Sequence, residues 1–366
     1  MVRLDPTFFR YLSKEDFRVL TAIEMGMRNH ELVPFELIAQ IAKLTQSRVK
    51  RSIRDLHKHK LVWHSNAPYI GYRLTYLGYD YLALRALTQR GQITGIAQKI
   101  GVGKEADIYL ATNDKGEDMV IKFHRLGRTS FKAVKNKRDY SKGKITTNWL
   151  YLSRLSAQKE FAFMKALYEK KFPVPVPVDS NRHCVLMSRV KGTLLANVKE
   201  INDPVNVFNQ GIELAVKLAE VGMIHCDLNE FNLILSDDDK LTMIDFPQMV
   251  SVKNKEAKEF FERDINCIKT FFWKRFGIGA EELPELDDVE QIEELDKAVK
   301  ASGYDFKKDE RLLQSARKDF IDDDEVDDEM LSDEEVNDID DEEEEDDDEE
   351  NEEECDDDEE EEDDDE

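Results

Sequence analysis

Two glycines, at positions 101 and 103, are followed by strand-like rather than helix-like sequence, and this restricts the fold more than any other feature of the 366-residue chain. In GVGKEADIYLATNDKGEDMVIKFHRLG, residues 101–127, the run ADIYLA passes through the turn NDKG into MVIKF, the pattern of a β-hairpin. A dinucleotide-binding fold needs its glycines to end a strand and open a helix. That class is excluded.

A glycine-rich loop closing over phosphates from a hairpin is the arrangement of protein kinases. Gly101 and Gly103 allow close approach of the backbone, and Val102, Lys104, Glu105 and Ala106 complete the loop. Lys122 ends the second strand, where a kinase holds the α- and β-phosphates. Ala157, Phe161, Met164 and Tyr168 predict the buried stripe of a helix over 154–169, with Glu160 at its edge. A carboxylate beside an apolar face is costly unless paired, so Glu160 is the expected partner of Lys122.

The prolines of KFPVPVPVD, residues 171–179, fit an extended edge segment and no central strand. CVLMSRVKG, residues 184–192, reads as a buried strand running into a hinge, with Met187, Ser188 and Arg189 placed to meet an adenine ring through backbone groups. A helix is expected over 208–223. In HCDLNEFN, residues 225–232, Asp227 and Asn232 stand five apart, the spacing of a catalytic loop whose Asp orients or accepts a proton and whose Asn holds a metal. A second hairpin then ends at Asp245, placed to hold Mg²⁺ against the phosphates of ATP. His225 is expected to support the loop by packing.

Upstream, helical periodicity over 14–27, 35–43 and 45–61 is followed by two short strands, 61–65 and 72–75, and a helix over 76–87. Three helices and a hairpin are the order of a winged helix. In the third helix Val49, Ile53 and Leu56 form the apolar stripe, and Arg48, Lys50, Arg51, Arg54 and Lys58 cover the rest. Such a surface suits nucleic acid; a docking role with solvated charges stays open. His57, His59 and His64 lack nearby cysteines and do not suggest a metal site.

The formal net charge of -28 misleads, because residues 322–366 hold 36 Asp or Glu and no Lys or Arg. Residues 1–321 carry 52 basic against 44 acidic side chains, a net +8, and residues 1–90 carry 15 against 8, a net +7. A basic body suits a polyanionic partner. The acidic tail has little to bury and is expected to be disordered; it is a solubilising appendage or a decoy for the basic surface. Ser332 within it is expected to be solvated. The four cysteines form no C-x-x-C pair, which speaks against a zinc ribbon or a disulfide framework. No apolar run nears the ~18 residues that span a bilayer, and Arg3 and Asp5 are unlike a signal peptide. A soluble intracellular protein without a membrane partner is expected.

The chain resembles the RIO-type atypical protein kinases, in the second branch, which carries an N-terminal winged helix. The resemblance rests on DPTFFRYLSKEDFRVLTAIEMGMRNHELVP, GVGKEADIY, FHRLGRTSF with KNKRDY, HCDLNEFN, IDFPQMVS and RDINCIKTFF, and covers residues 1 to about 320. It implies an α+β fold: a winged helix over 1–90, a compact two-lobed kinase-like domain over 91–275 with lobes meeting near 186–187, a helical extension over 276–321, and the disordered acidic tail.

It also implies an atypical serine/threonine kinase and ATPase using ATP and Mg²⁺, in which Lys122 binds phosphate, Asp227 is the catalytic Asp, and Asn232 and Asp245 are metal ligands. Asn229 stands where kinases carry a lysine, and only 19 positions separate Asp245 from Asp264, with no A-P-E text between them. Phosphorylation of passing peptides is thereby disfavoured against an ATPase switch in which Asp245 transiently accepts the phosphoryl group, while a conventional Ser/Thr kinase acting on protein partners and a nucleotide-dependent RNA-binding module stay as alternatives. By the same resemblance the setting is late cytoplasmic maturation of the small ribosomal subunit. The partners are the precursor particle, its assembly factors, and rRNA touched by the winged helix and the basic loop at 125–150, with passage through the nucleus allowed. Cys226 departs from a family that often has Gly there.

Overall fold

A computed structural model describes residues 4, 8–66, 69–103, 105–126, 149–280, 282–293 and 295. The basic loop, Lys104, the extension beyond 295, the acidic tail and Ser332 lie outside these, wholly or for the most part.

Helix α1 (Lys14–Gly26) starts at a capping box: the Ser13 hydroxyl accepts from the Asp16 N–H, and the Asp16 carboxylate accepts from the Ser13 N–H at 2.8 Å. Helix α2 (Phe35–Ala42) stops one residue early because Lys43 turns left-handed, with φ 53°. Helix α3 (Gln46–Lys58) buries Val49, Ile53 and Leu56 and leaves Arg48, Lys50, Arg51, Arg54 and Lys58 exposed. The hairpin β1 (Val62–Ser65) and β2 (Gly71–Leu74) and helix α4 (Tyr76–Gln89) complete the winged helix.

Next, β3 (Gly95–Val102), β4 (Ala106–Thr112) and β5 (Asp118–His124) join β6 (Pro177–Asn181) and β7 (Cys184–Ser188) in a five-stranded antiparallel sheet of order β3-β4-β5-β7-β6. The proline-rich stretch leads into the edge strand β6, which opens on Pro177, where a missing N–H donor costs least. Helix α5 (Trp149–Glu169) packs on this sheet. It begins five residues before the predicted start, since its first turn rests on α4: the Trp149 ring lies 4.0 Å from that of Tyr76. The predicted stripe is corrected on two points. Tyr168 is exposed and Glu160 is fully buried, because α5 lies between the sheet and the second lobe and is covered on more than one side.

The second lobe holds β8 (Thr193–Leu194), α6 (Pro204–Glu220), β9 (Met223–Ile224), β10 (Leu233–Leu235), β11 (Leu241–Met243), β12 (Val250–Ser251) and α7 (Ala257–Phe276). Gly192 enters it with φ 142°, and a Cβ there would lie 2.3 Å from the Leu235 carbonyl oxygen, so the hinge requires glycine. A helical extension from 276 is not what the described residues form. Gly277, left-handed at φ 70°, ends α7, and Pro284 follows; the segment runs irregularly through one 3₁₀ turn at Leu286–Asp288. It is tied to the end of α6 by Ile292 N–H to Glu220 O at 2.7 Å and Leu295 N–H to Val221 O at 3.0 Å.

Two hydrophobic cores result. One runs without interruption from the winged helix (Leu20, Ile23, Tyr81) into the five-stranded sheet (Ile121, Phe123, Leu186). The other joins α5 to the second lobe. Each buried Leu, Ile or Phe contributes ~1.5–3 kcal/mol, so the winged helix is held to the first lobe by packing and not by a linker alone. Ion pairs add to the joint: Arg182 is bidentate on Glu24 at 2.8 Å, and Arg90 meets Asp179 at 2.8 Å. Among the described residues no helix is long and apolar enough to cross a membrane.

Candidate active site

Alternation along β5 puts Lys122 and His124 on one face of the sheet, and the packing of α5 brings Glu160 beneath them. Lys122 Nζ lies 2.8 Å from Glu160 Oε1 and 2.8 Å from Asp245 Oδ1, joining both lobes through one ammonium. Burial works against the Lys122 charge, but Asp245 and Glu160 outweigh it and hold the amine above its ordinary range. Burial also opposes ionisation of both carboxyls, yet Lys122 keeps each of them below the usual carboxylate range. The other oxygen of Glu160 lies 2.7 Å from His124 Nε2, and His124 Nδ1 is 3.0 Å from Ser156 Oγ.

Asp227 is fixed by amides. Asn229 Nδ2 donates to its Oδ1 at 2.8 Å, and Asn232 Nδ2 donates to its Oδ2 at 3.0 Å and to its backbone carbonyl at 2.8 Å. Asn229, in the place of the kinase lysine, thus orients the carboxylate with a neutral donor. The contacts of Asn232 leave its carbonyl oxygen as the atom for a cation.

The backbone beneath is strained and held. Cys226 and Asp245 are left-handed, with φ 68° and 70°, at a cost of about 1–3 kcal/mol each. Asp264, buried on α7, accepts from the Cys226 N–H at 2.8 Å and the Leu228 N–H at 3.0 Å, and Arg263 donates to the Cys226 carbonyl. Burial lifts the Asp264 carboxyl to about 6, against the pull of those N–H donors. A positive φ at 226 is what a glycine would satisfy without strain, so the cysteine is tolerated by this clamp. His225 is buried, and desolvation lowers it to about 4, so the ring is neutral and structural.

The glycine loop closes with Gly103 N–H to Ala106 O at 2.8 Å, and Glu105 O accepts from the Arg125 N–H at 2.6 Å. A Cβ on Gly103 would approach no described atom closer than Ala106 O at 3.6 Å, so protein packing does not demand glycine there. Val102 is exposed and Ala106 buried; Lys104 is outside the described residues. At the hinge the Ser188 N–H donates to Val176 O at 3.0 Å and the Arg189 N–H to Asp118 O at 3.3 Å. Those two donors are engaged in the protein, and Met187 lies within the sheet, paired in register with Val120 on one side and Pro177 on the other.

Lys122, Glu160 and Asp245 form one cluster and Asp227 and Asn232 a second, and the two are linked through the backbone by Ile244 N–H to Asn232 O at 3.0 Å. Their arrangement on a two-lobed scaffold behind a winged helix can be compared with known proteins. Residues 107–286 match the RIO domain family and residues 9–90 match the family described as Rio2, N-terminal. The serine/threonine-protein kinase rio2 of Dictyostelium discoideum is 52% identical over 83% of this chain and 58% of its own length. The protein of the same name from Schizosaccharomyces pombe is 45% identical over 87% of this chain and 93% of its own.

The chain belongs to the RIO kinase family, in its Rio2 branch.

A solved Rio2 kinase from Chaetomium thermophilum, described as an ADP/Mg²⁺-phosphoaspartate complex, is 43% identical, with a TM-score of 0.77 over 87% of this chain and all of that one. The RIO match begins at Asp107, just after the glycine loop, and the Rio2 N-terminal match ends at Arg90, one residue past α4. Sequence reasoning did not identify Asp264, Arg263 or His124 as part of this Rio2 site. His124 carried a legible signal, two positions from Lys122 on the same strand face. Asp264 carried none, because its partners lie 36 and 38 positions away.

Proposed function

We propose that this Rio2-branch chain binds Mg-ATP and hydrolyses it through an aspartyl-phosphate on Asp245. The observation that carries the reading is the double contact of Lys122 with Glu160 and Asp245. Phosphates entering between the glycine loop and Asp245 would take over the ammonium and leave the carboxylate facing the γ-phosphorus. Asp245 is suited to this, since its side chain keeps 40% exposure and its Oδ2 takes no hydrogen bond among the described residues. The phosphoaspartate of the Chaetomium relative supports the same chemistry.

Among the described residues no cluster of three His, Cys, Asp or Glu side chains gathers that could hold a metal. Asn232 Oδ1 and Asp245 fit Mg²⁺, which commonly takes one or two protein oxygens and completes its shell with phosphate and water. When bound, Mg²⁺ neutralises phosphate charge. In the transfer, an Asp245 oxygen attacks the γ-phosphorus, the bond to the β,γ-bridging oxygen breaks, and ADP leaves. Water then cleaves the acyl phosphate to phosphate and the free carboxylate, with Asp227 placed to take its proton.

A second reading, transfer to Ser or Thr of protein partners, draws on the kinase names of the relatives and on the fixed Asp227. For the cellular role we infer late cytoplasmic maturation of the small ribosomal subunit, in which ATP turnover drives release from the precursor particle. This is supported by the resemblance and by the exposed cations of α3, which suit rRNA phosphates. Calorimetry tests the core of the reading: replacing Lys122 by Met and Asp245 by Asn together should abolish Mg-ATP binding, and unchanged affinity would refute it.

A further inference from the structure

The winged helix reaches the phosphate loop through a buried chain of charges. Asp80, on α4, is 2% exposed and receives both arms of the Arg125 guanidinium, at 2.6 and 2.7 Å. Arg125 Nε donates to Asp107 Oδ2 at 3.0 Å, and the other Asp107 oxygen lies 2.7 Å from Lys99 Nζ. His183 Nε2 is 2.7 Å from Asp80, and its ring stacks on Tyr79 at 4.3 Å. Asp107 is the first residue of the RIO match and pairs in register with Val102, while Lys99 stands on β3 just before the glycines. The Arg125 N–H also holds Glu105 O. One stem of the loop, at Asp107, therefore ends directly on a guanidinium anchored in the winged helix, the other stem reaches it from Lys99 through Asp107, and the last turn is held by the backbone N–H of the same arginine.

A local purpose does not explain this arrangement. Buried charges are expensive unless their partners are complete, and apolar side chains would join α4 to the sheet more cheaply, as the continuous core beside them does. A forked, always-charged arginine holds three oxygens in fixed directions, which is what a loop needs if its N–H groups are to stand ready for phosphate. Loops left to themselves are among the least stable parts of a fold.

We propose that Asp80, Arg125, Asp107 and Lys99 are positioning residues, through which the winged helix sets the geometry of the phosphate loop and hence affinity for the phosphates of the nucleotide. The inference rests on the Mg-ATP reading above. It predicts that a change in the winged helix, at a residue that touches no nucleotide, alters recognition of phosphate and not of the base.

The test is calorimetric, on the full chain, with Mg-ATP and with adenosine as probes. Wild-type protein that fails to bind Mg-ATP would sink the proposed function itself. With that binding in place, Lys99→Met, at the partly exposed end, should weaken Mg-ATP about tenfold and leave adenosine unchanged. Arg125→Lys, which keeps the charge and loses the fork, and Asp80→Asn should do the same. Combining Lys99→Met with Asp80→Asn should weaken Mg-ATP no further than the stronger single change, as expected for one connected unit. Should Asp80→Asn not fold, Lys99→Met and Arg125→Lys carry the same comparison. Equal losses for both probes, no loss for either, or fully additive losses in the double variant would overturn the proposal.

Discussion

Lys122 and Asp245 meet at 2.8 Å although 123 positions separate them along the chain. One comes from the sheet lobe and the other from the turn after β11, so this contact closes the cleft between lobes. The same ammonium neutralises Glu160, whose side chain is 1% exposed. Removing Lys122 therefore has two consequences, one for ligand and one for stability.

Lys122→Met should destabilise the protein by about 3–5 kcal/mol, because a buried carboxylate loses its cation. Glu160→Gln on that background should restore part of the loss, since the uncompensated charge disappears. Urea unfolding of the two single variants and the double variant measures the coupling.

Gly103→Ala separates packing from ligand approach. A Cβ there meets only ordinary contact in the protein, so the midpoint of unfolding should move by less than ~1 kcal/mol equivalent. Mg-ATP affinity should fall clearly, because the added methyl projects into the space the backbone leaves for phosphate. Thermal unfolding and calorimetry on the same samples decide it.

Stability should decline on acidification from about pH 6.5 toward about pH 4. His183 and His225 are buried, and desolvation lowers both from 6.5 to about 4. The native state thus binds fewer protons than the unfolded chain across that window, and its advantage, fully present above 6.5, is lost as pH falls, by up to ~3 kcal/mol per ring. Asp264 runs the other way between 3.8 and about 6, since its raised value makes the native state bind more protons, and it offsets part of one histidine. His225→Asn should flatten the profile in denaturant titrations at several pH values.

RNA affinity should fall steeply with salt if α3 neutralises phosphates. Each contact contributes about 0.7 to 0.9 to the slope of log affinity against log salt. Lys50→Ala, Arg51→Ala and Arg54→Ala together should lower that slope by ~2–3 without affecting folding, as all three side chains are exposed. A flat wild-type response would assign the helix to protein docking.

How much of this was legible in the chain follows from how each signal is encoded. Hairpins, the edge segment with its prolines and the stripe of α3 are local patterns, and the elements predicted from them fall near their expected bounds, whereas α7, β3 and the two-residue strands β8, β9 and β12 were not read from the text. The pairing of Lys122 with Glu160 was legible because a buried carboxylate demands a cation. Three features were not. Glu160 lies in the interior and not at an edge, because the second lobe covers the far side of α5. The core shared by the winged helix and the sheet depends on contacts that no periodicity displays, and so does the Asp80 to Lys99 chain. The clamp by Asp264 joins a helix to a loop through backbone N–H groups, which every residue but proline possesses and which therefore leave no mark in the text.

The chemical identity of the phosphorylated residue after turnover of γ-labelled ATP tests the central claim most directly. A hydroxylamine-labile label on Asp245, absent from Asp245→Asn, is the predicted result. Label stable to hydroxylamine, carried on Ser or Thr and persisting in Asp245→Asn, would contradict it.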